Sequence, residues 1–195
     1  GMEQESATDL GGLRRGLTGA QRAFVNALWA FYRDHDQWVP ARLLRQHFGK
    51  DAVRAESVAL GESVVRQYRE AGKEYYRLTF LGVLLADGGE ASEALLVRYL
   101  EYVRDRYRAD SRVEWVASQE VEAALGLQAE QSRLLRQLLR LSHWWGGGSA
   151  FGDREWTVGV PVDVDELAEE GDLANYVRAH VLRHFPTAVS AAAGP

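Results

Sequence analysis

The stretch VVRQYREAGKEYYRLT, from Val64 to Thr79, decides the fold that this chain is expected to adopt. Its second half is rich in aromatic residues, which favour strands, and Glu70–Lys73 contains the glycine of a tight turn. Helical patterns precede the stretch, and the apolar segment Leu81–Leu85 follows it. These features predict two short strands joined by a tight turn and set between helices.

The composition limits the class of protein. The chain has 195 residues, of which 46% are hydrophobic and 26% are charged, a balance that is typical of globular proteins and allows one large or two small domains. The absence of cysteine excludes disulfides and fits a reducing compartment. No apolar run approaches the ~20 residues that span a membrane, and the polar N-terminus lacks a signal-peptide pattern. We therefore expect a soluble cytoplasmic protein without a membrane partner.

The formal net charge of −5 is unevenly distributed along the chain. Residues 1–88 contain 12 Lys and Arg against 11 Asp and Glu, whereas residues 89–195 contain 11 against 17. Much of the acid lies between Asp163 and Asp172, where six carboxylates occupy ten positions. Because nucleic-acid binding requires clustered positive charge, a DNA surface is expected in the first half of the chain.

The first half contains a series of helix signals around the predicted hairpin. Residues 1–16 are polar and rich in glycine, which predicts a flexible tail. Thr18 and Gln21 match a capping box, and the helix that they begin is expected to end near Asp34-His35-Asp36. The remaining predicted elements are a second helix that begins at Pro40 and ends at Gly49, a third over Asp51–Leu60, the hairpin, and a short helix over Leu81–Ala86.

The second half repeats this order of elements without a clear residue-level repeat. Its predicted elements are a helix capped by Ser92 that reaches about Arg108, a short strand over Arg112–Val116, a helix capped by Ser118 and closed by Gly126, a helix over Gln128–His143, a hairpin between Trp144 and Val160, and helical segments over 163–185 interrupted at Gly171. We expect the glycine run Gly146–Gly148 to form a flexible hairpin tip, since it lacks the Lys-Ser/Thr of a phosphate-binding loop.

The order of elements, together with Tyr76-Arg77-Leu78-Thr79-Phe80-Leu81-Gly82, resembles the winged helix-turn-helix superfamily. In many members a strand that ends in Leu-Thr precedes Xaa-Leu-Gly and a helix. The resemblance covers residues 17–86 and, more loosely, residues 92–160. It implies a mainly α fold with small β-hairpins, an α+β class, in two tandem winged-helix domains. These domains are expected at 17–89 and at 90–186, the second including the C-terminal helix, with flexible tails at 1–16 and 187–195.

In DNA-binding members of this superfamily, the third helix enters the major groove and the hairpin, or wing, contacts the phosphate backbone. Transferred to this chain, the resemblance makes Arg54 the one strong base reader in the third helix of the first domain. In the first wing it assigns phosphate contacts to Arg66, Arg69, Lys73 and Arg77. In the third helix of the second domain it assigns DNA contacts to Arg133, Arg136, Gln137 and Arg140, which are spaced to share one helix face.

The resemblance therefore predicts a non-enzymatic protein that binds double-stranded DNA, such as a transcription regulator. Two alternatives stay open, namely a winged-helix scaffold that binds a protein partner or a second copy of the chain without DNA, and a small ligand sensor or enzyme. An exposed side of Trp144, Trp145 or Trp156 would favour the scaffold, although we expect these residues to lie in the core.

Other candidate sites are weaker. The spacing of His180 and His184 allows metal binding on one helix face, but packing is favoured and no third ligand can be identified. The carboxylates between Asp163 and Asp172 are expected in the first turns of a helix, where its dipole stabilises them, and not as an acid-base pair. We therefore predict no catalytic residues, no metal and no cofactor.

Overall fold

The computed structural model describes residues 10–151 and 155–184. Most of these residues are helical, and the strands are few, short and antiparallel, so the predicted α+β class is confirmed. Among the described residues, none of the helices has the length and apolar character needed to cross a bilayer. The described residues form two compact units, of which unit 2 comprises Ala91–Val177 and unit 1 comprises the residues on either side of that range.

Over residues 10–88, unit 1 contains five helices, of which the second to the fourth precede the hairpin of a three-stranded sheet. Its elements are α1 (Leu10–Arg15), α2 (Gly19–His35), β1 (Val39–Pro40), α3 (Ala41–Phe48), α4 (Lys50–Leu60), β2 (Val65–Glu70), β3 (Lys73–Leu78) and α5 (Phe80–Leu85). The first hairpin consists of β2 and β3, and β1 pairs antiparallel with β3, which gives the sheet order β1-β3-β2.

Unit 2 has the same order of elements at its centre. Its elements, with the end residues of α6 and α10 that belong to unit 1, are α6 (Gly89–Ala109), β4 (Trp115–Ala117), α7 (Ser118–Leu125), α8 (Ala129–Leu141), β5 (Gly148–Phe151), β6 (Glu155–Gly159), α9 (Val164–Glu169) and α10 (Leu173–His184). The second hairpin consists of β5 and β6, and its sheet order is β4-β6-β5. The sequence predicts α10 within the second domain, but its residues from Arg178 onward belong to unit 1.

Local signals in unit 1 act as the sequence predicts. The hydroxyl of Thr18 accepts from the backbone N–H of Gln21 at 3.1 Å, and the Gln21 side chain accepts from the N–H of Thr18 at 2.9 Å. The helix α2 ends at His35, and the next residue, Asp36, caps it in a left-handed conformation with φ of 53°. In the first hairpin, Ala71 and Gly72 have φ of 52° and 76°, the positive values that a type I′ turn requires. The predicted hairpin is confirmed.

Two predictions for unit 1 are wrong. Residues 10–15 are not part of a tail: Leu10 is fully buried in α1, and the Arg14 Nε donates to the Leu84 carbonyl at 2.7 Å. Residues 1–9 and 187–195, the rest of the predicted tails, lie outside the described residues. Pro40 does not begin a helix, because it pairs with Tyr75 in β1 and only precedes α3.

Two predicted caps in unit 2 also differ from the structure. Ser92 does not cap α6, because that helix begins at Gly89 and Ser92 lies inside it. The side chain of Ser92 is buried. Ser118 is the first residue of α7 and does not cap it; Glu120 accepts instead from the N–H of Ala117 at 2.8 Å. The Ser118 hydroxyl accepts from the N–H of Trp156 at 3.0 Å, so it ties α7 to the second hairpin.

The glycine run of unit 2 lies at the base of the second hairpin and not at its tip. Gly148 is the first residue of β5, and the residues between β5 and β6, 152–154, are outside the described ranges. A Cβ on Gly146 would lie 2.3 Å from the carbonyl oxygen of Gly159. The predicted flexible tip is therefore wrong, because the run lies at the other end of the hairpin. There, Gly146 allows two backbone segments to approach each other closely.

Two of the three tryptophans near the second hairpin lie in the core of unit 2, as predicted. Trp144 is fully buried and Trp156 is 3% exposed, while Trp145 is half-buried. The indole N–H of Trp156 donates to the Ser132 hydroxyl at 3.1 Å, and that of Trp144 donates to Asp163 at 3.2 Å. Each buried indole therefore has the hydrogen-bond partner that burial of its N–H requires.

Candidate nucleic-acid interface

The first hairpin has two chemically different faces. Side chains alternate along a strand, and residues that pair directly across two strands share a face. The inner face contains Val65, Tyr76 and Leu78, all of which are buried. The outer face consists of Arg66, Tyr68, Glu70, Lys73, Tyr75 and Arg77.

The outer face concentrates positive charge. Arg66 pairs directly with Arg77 across the two strands, and Lys73 lies beside the turn, opposite Glu70. In the part of the chain that the structure describes, no salt bridge engages Arg66, Lys73 or Arg77. The Arg66 Nε donates only to the backbone carbonyl of Glu62, at 3.3 Å. Like charges directly opposite each other on a sheet are destabilising, so this face is suited to an anion.

A pair of tyrosines lies between these cations. The rings of Tyr68 and Tyr75 stack at a centroid distance of 5.3 Å and an interplanar angle of 18°. The Arg77 guanidinium lies 6.0 Å from the centroid of the Tyr68 ring, within the range of a cation-π interaction. Burial, together with the nearby Glu70 carboxylate, raises the pKa of Tyr68, so the ring stays neutral. Sequence reasoning missed this pair, although Tyr68 lies three positions before Ala71 and Tyr75 lies three positions after Gly72 of the turn.

Arg69 does not join the other cations. It pairs with Glu74 on the inner face, where Glu74 accepts from Arg69 at 2.7 Å and from Arg45 on α3 at 2.8 Å. The hydrogen bond from Arg45 lowers the pKa of Glu74, with Arg69 adding to the effect. The structure thus separates Arg69 from Arg66, and their odd spacing on one strand already indicated opposite faces.

The helix α4 has little capacity for reading base edges. Arg54 is exposed on it, as is Lys50 at its start. The other exposed positions include Ala55, Val58 and Ala59, and Val58 is 74% exposed. Arg54 is therefore available, but exposed Asp51 lies one turn before it and Ala55, Val58 and Ala59 form no hydrogen bonds with bases.

The predicted readout face on α8 is only partly accessible. Gln137 is 1% exposed, so its predicted role in DNA contact is wrong: the side chain turns into the core of unit 2. The residues Arg133 and Arg136 are half-buried, and Arg140 is exposed. Helical spacing groups these four residues, but burial depends on the elements packed against α8, which the spacing does not reveal.

The charge difference between the two units follows the same division. Residues 1–90 and 178–195 together contain 14 Lys and Arg against 12 Asp and Glu, whereas residues 91–177 contain 9 against 16. The net charges are therefore +2 and −7. Unit 1 is the better candidate for binding a polyanion.

The acidic segment of unit 2 is internally bonded. Asp163 accepts from the Tyr176 hydroxyl at 2.6 Å, and burial together with this bond raises the pKa of Tyr176.

His180 is 8% exposed and its Nδ1 lies 3.3 Å from the Arg183 guanidinium; the His184 side chain is outside the described atoms. Over the described ranges, no three His, Cys, Asp or Glu side chains are grouped in a way that could hold a metal.

Comparison of the chain with models of known protein families, with curated proteins and with solved structures finds no match. The function of the chain must therefore be inferred from the chemistry of its own surface.

Proposed function

We propose that the chain is a DNA-binding protein with two tandem winged-helix domains, and that the first hairpin contacts the phosphates of duplex DNA. The domain assignment is supported by the order of elements in each unit: a helix, a short strand, two helices and a hairpin, with the short strand paired to the second hairpin strand. Three helices followed by a hairpin is the order that the superfamily resemblance implies.

The observation that carries the DNA proposal is the direct pairing of Arg66 with Arg77 on the outer face. No carboxylate of the described residues forms a salt bridge with either guanidinium. A phosphate oxygen placed between them would relieve their repulsion and accept charge-assisted hydrogen bonds from both. Lys73 extends the same face toward the turn, so the hairpin offers three cations to one backbone.

This binding is expected to be independent of sequence. Phosphate contacts position a protein on DNA but carry no base information, and α4 adds only Arg54 as a base reader. The affinity should therefore depend strongly on salt and weakly on sequence, because counterion release supplies most of the free energy of binding.

Fluorescence anisotropy with a labelled random-sequence duplex at increasing salt tests the proposal. We expect measurable binding at low salt that weakens as salt rises. The double variant Arg66→Gln, Arg77→Gln should bind more weakly and show a shallower salt dependence, because the log-log slope falls by about 0.9 for each phosphate that the protein no longer neutralises.

The matched control is Arg112→Gln, which removes a 90% exposed arginine that pairs with Asp110 in unit 2. This variant should bind as the unchanged protein does. If the unchanged protein does not bind duplex DNA at low salt, or if both variants weaken binding equally, the hairpin does not carry DNA binding.

A second candidate function is a protein-binding scaffold, which is favoured by exposed apolar residues in unit 2. Trp115 is 54% exposed on β4, an edge strand of its sheet, and Val162 is 89% exposed. Exposed tryptophan is typical of protein interfaces. Sedimentation analysis of the chain and of Trp115→Ser would detect self-association through this surface; a monomer in both cases excludes the homodimer.

A further inference from the structure

We infer that the outer face of the first hairpin binds unpaired nucleotides, with bases stacked on its tyrosines and phosphates held by its arginines and Lys73. This inference rests on the proposed function, because the same cations hold the backbone. It adds a preference for single-stranded over double-stranded nucleic acid, which phosphate contacts alone do not create.

The apolar part of this surface extends across all three strands of the sheet. Tyr75 pairs with Tyr68 on one side and with Pro40 of β1 on the other, so the three residues form one row on the same face. Each of them is half-buried and keeps part of its surface accessible. The row is therefore a continuous apolar strip at the centre of the sheet.

The cations flank this strip on both sides. Successive residues on one face of a strand are separated by about 7 Å. Arg66 and Arg77 follow the tyrosine row on one side by that step, and Lys73 follows it on the other. A nucleic acid strand that crosses the sheet can thus keep its phosphates near the cations while its bases lie over the strip.

The chemistry of this face favours an unpaired strand over other polyanions. In a duplex the faces of the bases are occupied by their neighbours, whereas an unpaired base can stack on a tyrosine ring or on an arginine guanidinium. Three cations against the single carboxylate of Glu70 complement a polyanion. An acidic peptide would use the cations, but it does not have an aromatic group for every negative charge as a nucleic acid strand has a base for every phosphate.

The test compares a single strand that contains 2-aminopurine with the duplex of the same sequence, at equal salt. We expect the unchanged protein to bind the single strand more tightly and to quench its fluorescence. Tyr75→Leu should weaken single-strand binding by about fivefold or more, because loss of one stacked base is worth ~1–3 kcal/mol, and should remove the quenching. Duplex binding should be unchanged.

Two further variants separate stacking from folding. Tyr75→Phe keeps the ring and should retain both affinity and quenching, which shows that the position tolerates substitution. Tyr107→Leu removes a tyrosine of unit 2 that bonds to Asp165 and should have no effect on binding. Thermal unfolding of each variant confirms that the chain is folded.

The outcomes distinguish the inference from the proposed function. Duplex binding that equals or exceeds single-strand binding, or a Tyr75→Leu variant that binds the single strand normally, overturns the inference and leaves DNA binding in place. Polyglutamate that competes as well as an unlabelled single strand also overturns it. If neither nucleic acid binds at low salt, the proposed function fails together with the inference.

Discussion

The two hairpins of this protein share a register but differ in chemistry. In each unit the residue just before the second helix of the three-helix set pairs with the second hairpin strand: Pro40 pairs with Tyr75, and Ala117 pairs with Thr157. Across the hairpins, Tyr75 faces Tyr68 while Thr157 faces Ser149. At the same register position, unit 1 has two stacked aromatic rings, whereas the sequence of unit 2 has a serine and a threonine.

The neighbouring position differs even more. One residue before these, unit 1 has Glu74, which bonds to two arginines, and unit 2 has the buried Trp156, which bonds to Ser132 on α8. At this position the unit 1 hairpin has ionic contacts at a partly exposed site, whereas the unit 2 hairpin has a buried aromatic side chain. A common order of elements thus does not imply a common function, because the surface chemistry is set by side chains that the backbone pattern leaves open.

The largest effect is expected from Gly146→Ala at the base of the second hairpin. The three atoms nearest to the added Cβ would all be backbone atoms, and they include the carbonyl oxygens of Gly159 and Val160 at 2.3 and 2.4 Å. Backbone cannot move aside as a side chain can, so the free energy of unfolding should fall by about 3 kcal/mol. Urea denaturation followed by circular dichroism measures this change.

Gly171→Ala is the control for that substitution, since a Cβ there meets no atom within 4 Å. It should change stability by less than about 0.5 kcal/mol. Equal stability of the two variants would show that the close approach at the hairpin base is not required.

The second prediction concerns the apolar anchor of unit 2. Trp156→Phe removes the indole N–H that donates to the buried Ser132 hydroxyl and leaves a void in the core. Stability should fall by about 2 kcal/mol, from the unpaired polar group and the poorer packing. Trp115→Phe, at a half-exposed site, should cost less than about 0.5 kcal/mol; similar losses in thermal unfolding of both variants would contradict the anchor role.

The third prediction concerns the turn of the first hairpin. Ala71 has φ of 52°, a conformation that costs non-glycine residues about 1 kcal/mol but that asparagine tolerates better. Ala71→Asn should therefore stabilise the chain by about 0.5 kcal/mol. The same change at Ala59, on the exposed side of α4, should instead destabilise it by a similar amount, since asparagine is a weaker helix former than alanine. Chemical denaturation that gives both variants the same sign would refute this account.

The smallest effect is expected at the ionic contact of unit 1. The pKa of Glu74 is lower in the folded chain than in the unfolded chain, chiefly because Arg45 donates to it. Its ionised form therefore stabilises the fold above the unfolded pKa, and this contribution is lost as the pH falls through the folded pKa. Between about pH 5 and about pH 3, the melting temperature of the unchanged protein should fall slightly more than that of Glu74→Gln. Parallel pH profiles would show that this ion pair adds nothing.

Several features of the fold were predictable because short-range rules decide them. The capping box at Thr18 and the turn at Gly72 depend on residues within three or four positions of each other. The hairpin faces follow from strand alternation, which also accounts for the separation of Arg69 from Arg66. By contrast, β1 contains only two residues and has no periodicity of its own, so it was not predicted and exists only through pairing with β3. Of the strand predicted over Arg112–Val116, only Trp115 and Val116 lie in β4, whose bounds are set by pairing with β6.

The sequence by itself determined the α+β class, the principal helices and the position of the basic hairpin, because capping, turn chemistry and hydrophobic spacing act locally. Only the tertiary structure decided which polar groups are available. Gln137 and Leu10 are buried in the folded chain, and Arg14 donates to the Leu84 carbonyl. Glu74 forms ion pairs with two arginines, Arg45 and Arg69. Exposure and ion pairing depend on residues that are distant in the chain. The proposed binding surface consists of exposed or half-buried side chains of the first hairpin whose cations form no salt bridge among the described residues.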